Sequence, residues 1–172
     1  EIYRGKNLSW SHGKQLDLYD YINNEDGSKT ALAEYIYNAN GIRISKKVNG
    51  IETKFYLNGN KIIAQEDTTN LIYFHYGVDG ITGFNHNGTE YLYKKNAQND
   101  IIGIYDTNGQ EIAKYVYDAW GNHKTTVLNN DNNIDNTIET NYNKNRLSNE
   151  KIAELNPFRY RSYYFDTETK LY

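Results

Sequence analysis

Side-chain oxygens recur in one stretch at the spacing of a cation-binding loop. Asp131, Asn133 and Asp135 fall at the first, third and fifth positions, where calcium ligands belong. Asn136 stands where a glycine would turn the chain, and Tyr142 replaces the bidentate glutamate of the twelfth position. The pattern also lacks flanking helices, so a solvated Asn-rich loop competes with a calcium site. The histidines, His12, His75, His86 and His123, have no i,i+4 partner and no cysteine companions, so a zinc set would have to converge from scattered places. There is no cysteine at all, which excludes disulfides and thiolate ligands. Neither a Gly-x-Ser-x-Gly elbow nor a phosphate-cradling glycine loop is present. Arg159 and Arg161 flank Tyr160; strand alternation would point both to one side, towards acidic neighbours such as Asp166 or Glu168. No catalytic residue, cofactor or metal is expected, and an enzyme is the least favoured class.

The chemistry in abundance is aromatic. The chain holds 18 Tyr, 5 Phe and 2 Trp in 172 residues; aromatic side chains bury roughly 150–250 Å² each, so the core is expected to be built from tyrosine. These residues lead a recurring unit that runs into a glycine turn: Tyr35-Ile-Tyr37 before Gly41, Phe55-Tyr56 before Gly59, Phe74-His-Tyr76 before Gly80, then Tyr91-Leu-Tyr93 and Tyr115-Val-Tyr117 before Gly121. The first aromatics step by 20, 19, 17 and 24 residues. Such a period marks repeat architectures, where each unit hides its apolar face by stacking on its neighbours. The paired tyrosines then serve inter-repeat packing, the alternative being aromatic platforms for sugar rings. A net charge of -3 gives no electrostatic footprint for nucleic acid. No run approaches the roughly 18 apolar residues of a membrane span. The absence of Met, including at position 1, suggests a stretch of a longer array.

The elements that must position these residues are hairpins. Asn49-Gly50 lies between two alternating runs and predicts a type I′ turn that pairs Val48 with Ile51, Lys47 with Glu52, Arg43 with Tyr56, Ile44 with Phe55 and Ile42 with Leu57. Asn87-Gly88 likewise pairs Phe84 with Tyr91. Asn108-Gly109 pairs Ile104 with Ala113 and sets Asp106 opposite Glu111, an unfavourable like-charge pair. The organisation read from the chain is a β-meander over 1–128, an Asn-rich insertion over 129–148, and a last segment, 149–172, with a short helix and then strands. That helix, 149–155, has Ser148 as N-cap and Pro157 to stop it. The fold class is all-β: stacked antiparallel hairpins with one short helix.

Three motifs resemble one family. Tyr115-Val-Tyr117-Asp118-Ala-Trp120-Gly121-Asn122 looks like the repeat unit of bacterial Rhs/YD-repeat proteins. Asn156-Pro157-Phe158-Arg159-Tyr160-Arg161-Ser162-Tyr163-Tyr164-Phe165-Asp166 resembles the start of their Rhs-associated core, and Trp10-Ser-His-Gly13-Lys14-Gln-Leu16 the stretch that precedes the repeats. Asn99, Ser162 and Lys170 stand where the family has glycines. The resemblance implies a sheet strip that spirals into a hollow shell, secreted or at the cell surface. Its partners would be flanking YD repeats and a C-terminal effector of the same polypeptide, with cell-surface glycans as an alternative. It further implies that the family's self-cleaving segment falls beyond Tyr172 and does not act here. Trp10, Gly13, Tyr35, Tyr37, Gly41, Tyr115, Tyr117, Asp118, Trp120, Gly121, Asn122, Pro157, Arg159, Tyr160, Arg161 and Asp166 are then structural motif residues.

Overall fold

The computed structural model describes residues 2–3, 6–22, 29–128 and 148–172. The chain forms two compact units, Glu1–Phe74 with Glu168–Lys170, and His75–Thr167 with Leu171–Tyr172. The first unit is built on β1 (Ile2–Tyr3), β2 (Lys6–Ser11), β3 (Gln15–Ile22), β4 (Lys29–Tyr37), β5 (Arg43–Val48), β6 (Ile51–Asn58), β7 (Lys61–Glu66) and the first residues, up to Phe74, of β8 (Leu71–Gly77). The second continues with β9 (Gly80–His86), β10 (Thr89–Lys95), β11 (Ile101–Asp106), β12 (Glu111–Tyr117), β13 (His123–Val127) and the helix α1 (Asn149–Leu155). Within each unit successive strands pair antiparallel. The Asn-rich insertion and the calcium candidates Asp131, Asn133 and Asp135 lie outside the described residues.

Two kinds of turn recur between the strands. Asn49 and Gly50 take φ of 49° and 85°, and Asn87 and Gly88 take 47° and 94°. Both residues of a type I′ turn need positive φ, and this backbone matches the twist of the flanking strands. Val48 pairs with Ile51 and Lys47 with Glu52, and Phe84 pairs with Tyr91, all as the turns require. His12 and Gly13, with φ of 47° and 76°, form a third such turn.

The second kind is a five-residue loop opened by Asn or Asp. In residues 118–122 the Asp118 N–H donates to the Asn122 carbonyl and the Gly121 N–H to the Asp118 carbonyl. Asp118 Oδ1 then accepts from the N–H groups of Trp120 and Asn122, at 2.8 and 2.9 Å. The same bonds recur in 38–42, 96–100 and 106–110. One side-chain oxygen thus satisfies two turn donors, which is why Asn or Asp occupies that place. Asn99 holds φ 64° without a glycine, and Ser162 and Lys170 hold 57° and 62°.

The Asn108-Gly109 turn belongs to this second kind, which changes its register. Ile104 pairs with Ala113 as expected, but Glu111 faces Tyr105 and not Asp106. Asp106 is turned into the loop, and the Tyr105 hydroxyl donates to Glu111 at 2.8 Å. The like-charge pair is therefore avoided. A bulge makes the difference, leaving Ile112 unmatched. Equivalent bulges leave Asp17, Leu32, Ile44, Ile63 and Ile102 unmatched, each on the later strand of its pair. An inserted residue flips the parity of the rest of its strand and sharpens local twist.

That parity flip overturns three expected pairs. Ile44 is bulged and 36% exposed, so the β5–β6 ladder ends at Ser45–Lys54 and Ile44 does not meet Phe55. Arg43, expected opposite Tyr56, pairs with Tyr37 and lies over the Tyr35 and Phe55 rings, 5.3 and 5.1 Å from their centroids. Ile42 closes the 38–42 loop, and Leu57 pairs with Ile62.

The core of the first unit gathers Leu8, Leu16, Tyr19, Ala33 and Tyr35. Helix α1 runs as the sequence predicts: Ser148 caps it through the Lys151 N–H, and Ile152 and Ala153 are buried. Beyond it, two overlapping turns bend the chain at 159–163: the Ser162 N–H donates to the Arg159 carbonyl and the Tyr163 N–H to the Tyr160 carbonyl, with Arg161 at φ 50°. The strands expected there reduce to two isolated bridges, Phe158–Tyr164 and Asp166–Leu171.

Candidate functional site

The repeat motif and the Asn156–Asp166 motif meet in the second unit, and their meeting point is the site. Its centre is Asn156, fully buried. The Asn156 Oδ1 accepts from the Tyr93 hydroxyl at 2.6 Å and the Phe158 N–H at 3.2 Å. Its Nδ2 donates to the Phe158 carbonyl at 2.8 Å and to the Tyr115 hydroxyl at 3.3 Å. Tyr115 in turn donates to the Ala153 carbonyl at 2.8 Å. A primary amide offers two donors and an acceptor with two lone pairs, and this one joins β10, β12 and the end of α1.

Arg159 is the second anchor. Its guanidinium is stacked between Tyr115 and Phe165, 5.0 and 5.2 Å from the ring centroids. It donates to the carbonyls of Asn156 and Ala153 at 3.2–3.3 Å and meets His123 Nε2. A guanidinium has donors and no acceptor, so it is satisfied here by carbonyls, two ring faces and the His123 ring edge. Sequence alternation sets Arg159 and Arg161 on one side; the structure separates them. The kinked turns at 159–163 intervene, Arg159 is buried, and Arg161 lies over the Tyr160 ring. Neither pairs with Asp166 or Glu168. Backbone carbonyls and ring faces take the place of the expected carboxylates.

The dock also grips two of the five-residue loops. Tyr160 packs on Tyr117 and Tyr172, and the Tyr172 hydroxyl donates to the Gly121 carbonyl at 3.0 Å. A Cβ on Gly121 would lie 3.0 Å from the Tyr160 ring. In loop 96–100, buried Asp100 accepts from the Arg161 N–H at 2.8 Å, and Ser162 Oγ donates to the Asn99 carbonyl at 2.7 Å. Tyr117 donates to the Ile101 carbonyl at 2.6 Å.

Electrostatics favours holding over proton transfer. Burial pushes the Tyr115 hydroxyl above its ordinary value, and pushes Tyr93 and Tyr117 further, against the opposing charge of Arg159. These hydroxyls therefore remain protonated donors. Asp118 is held below the ordinary carboxylate value, first by Asn122 Nδ2 at 2.7 Å and also by the loop amides. Beside the dock runs an open groove of about 550 Å³ that includes Lys94, Asp100, Glu111, Lys114 and Tyr117. Among the described residues, no group of three or more His, Cys, Asp or Glu could hold a metal.

The other motif residues lie outside this cluster of contacts. Tyr35 is buried and donates to Glu168 at 2.9 Å, and Tyr37 donates to the Leu16 carbonyl. Gly41 has φ 77°, and a Cβ there would lie 2.8 Å from Gln15 Nε2, the movable end of a side chain. Trp10 and Trp120 share the motifs but are 44% and 87% exposed. The Trp120 contribution is its backbone N–H, bound by Asp118. Pro157 accepts from the Phe165 N–H, and Asp166 donates its own N–H to the Leu171 carbonyl. Sequence reasoning missed Asn156 and His123 as partners of Arg159. It also missed Lys46, whose Nζ meets both Glu168 oxygens at 3.1 Å. Asn156 opens a quoted motif, so its signal was present; Lys46 and Glu168, 122 residues apart, share no local signal.

No family model matches the chain. It is 32% identical to the tRNA3(Ser)-specific nuclease WapA of Bacillus spizizenii and 32% identical to the tRNA nuclease WapA of Bacillus subtilis. Each alignment covers 94% of this chain but only 6% of the relative's length. Among solved structures, the chain is similar to the TcdB2-TccC3 crystal structure and to TcdB2-TccC3-Cdc42, with TM-scores of 0.61 and 0.63. Those likenesses cover 96% of this chain and 8% of the other at 13% identity, and they show the fold alone. The motifs that meet in the dock are the ones the resemblance rests on, and the WapA alignments run along nearly the whole chain: it belongs to the bacterial Rhs/YD-repeat family.

Proposed function

We propose that this chain is a stretch of the wall of an Rhs/YD-repeat shell, secreted or displayed at the bacterial surface. The shell encloses or presents a C-terminal toxin effector of the same polypeptide, and the flanking repeats are its direct partners. The observation that carries this reading is the dock itself. The repeat tyrosines, Asn156 and Arg159 are buried against one another and turned to holding the chain together. A permanently charged guanidinium, an amide and protonated phenols hold; they are poorly suited to moving protons at neutral pH. The nuclease activity named for the WapA relatives is assigned, in this reading, to another part of the polypeptide.

Limited proteolysis of the full-length parent tests it. The wild-type parent should shield its C-terminal effector from protease, and Arg159→Ala should weaken that shielding. An effector cleaved as fast within the parent as in isolation rules out enclosure. An Arg159→Ala parent that shields as well as wild type rules out a part for this dock.

A further inference from the structure

Five Asn-Gly pairs occur along the chain: Asn40-Gly41, Asn49-Gly50, Asn58-Gly59, Asn87-Gly88 and Asn108-Gly109. Asparagine before glycine can undergo an intramolecular reaction, because no Cβ hinders approach to the glycine nitrogen. The five pairs are chemically alike in sequence, and the fold treats them differently. The Gly41 N–H donates to the Asn38 carbonyl at 2.9 Å, and the Gly109 N–H to the Asp106 carbonyl at 3.0 Å. The Gly88 N–H donates to Asn85 Oδ1 at 2.8 Å. The Gly50 and Gly59 amides make no hydrogen bond with the described residues; all five asparagines are exposed, so this bond is what differs between the pairs.

We propose that Asn49 and Asn58 are sites of spontaneous deamidation, and that Asn38, Asn85 and Asp106 protect the other three pairs. In the reaction the glycine nitrogen attacks the asparagine Cγ, forming an N–Cγ bond. The Cγ–Nδ2 bond breaks, and ammonia leaves with the proton the glycine nitrogen gave up. Solvent water then opens the succinimide at either carbonyl, giving aspartate or isoaspartate. A glycine nitrogen that donates to a carbonyl or amide oxygen must first surrender that bond, and its proton is less available to base. Either product adds one negative charge. Isoaspartate also adds one carbon to the backbone, within the Asn49-Gly50 turn that sets the Val48–Ile51 register or beside the Asn58–Lys61 pair. Ageing of this chain would therefore begin at the two hairpins that flank β6.

The test is peptide mapping by mass spectrometry after incubating the folded chain at mildly alkaline pH, with isoaspartate scored at each pair. Asn49 and Asn58 should convert about fivefold or more faster than Asn40, Asn87 and Asn108, the factor corresponding to one net hydrogen bond. In denaturant all five should converge. Asn85→Ala, which frees the Gly88 amide, should bring Asn87 into the fast group. Equal rates in the folded chain, a ranking that persists in denaturant, or an unmoved Asn87 in the Asn85→Ala variant would each overturn the proposal.

Discussion

At the scale of single residues, one side-chain oxygen organises each five-residue loop. Asn38, Asn96, Asp106 and Asp118 do the same work, so the requirement is an acceptor and not a charge. Asp118→Asn should accordingly leave the unfolding temperature at neutral pH close to wild type, while Asp118→Ala lowers it. The carboxylate adds a pH dependence that the amide cannot. Its folded value is depressed below the ordinary 3.8, so the stability it contributes is present above that pH and is lost as pH falls through the lower folded value. Thermal unfolding from neutral pH into that acid range should show a smaller loss for Asp118→Asn than for wild type. An Asn variant as damaged at neutral pH as the Ala variant would show that the charge matters after all.

Between residue and fold stand the turns and bulges. Gly50 and Gly121 have nearly the same φ, 85° and 86°, but a Cβ on Gly50 meets open space whereas one on Gly121 meets the Tyr160 ring. Gly50→Ala should therefore cost about 1–2 kcal/mol from backbone strain alone. Gly121→Ala adds crowding to the same strain and should cost about 1–3 kcal/mol more. Chemical denaturation of the two variants compares them, and in a Tyr160→Ala background the difference should shrink. Equal losses in the wild-type background would mean that the dock does not press on the loop. The turns were legible because Asn-Gly carries its own φ requirement. The bulges were not, because an unmatched Ile44 or Ile112 differs in no local way from a paired one.

Over the whole molecule, side chains far apart in sequence decide what is held. Within the first unit, Lys46 and Glu168 form an ion pair with side chains only 11% and 7% exposed, completed by the Tyr35 hydroxyl. Removing one partner of such a pair strands the other charge. Lys46→Met and Glu168→Gln should each cost about 3–5 kcal/mol, and the double change Lys46→Met with Glu168→Met considerably less than their sum. A double-mutant cycle by chemical denaturation measures this. Single changes costing under about 1 kcal/mol would mean that the pair behaves as an exposed one. Lys46 is buried in the middle of β5, and nothing near it in sequence gives the reason; the reason lies in the tail of the chain.

What the sequence determined by itself is everything with a local cause. The hairpin turns at Asn49-Gly50 and Asn87-Gly88 come from backbone sterics, the Ser148–Pro157 limits of α1 from capping and the missing proline N–H, and the tyrosine period from the need of each repeat to bury its face. Tertiary structure alone decided the partners of Arg159, the Lys46–Glu168 pair and the bulges that send Arg43 inward and Ile44 outward. Each of those depends on which desolvated group finds a donor, an acceptor or a ring face across tens of residues. A buried polar atom must be satisfied, but its own sequence neighbourhood does not say by what.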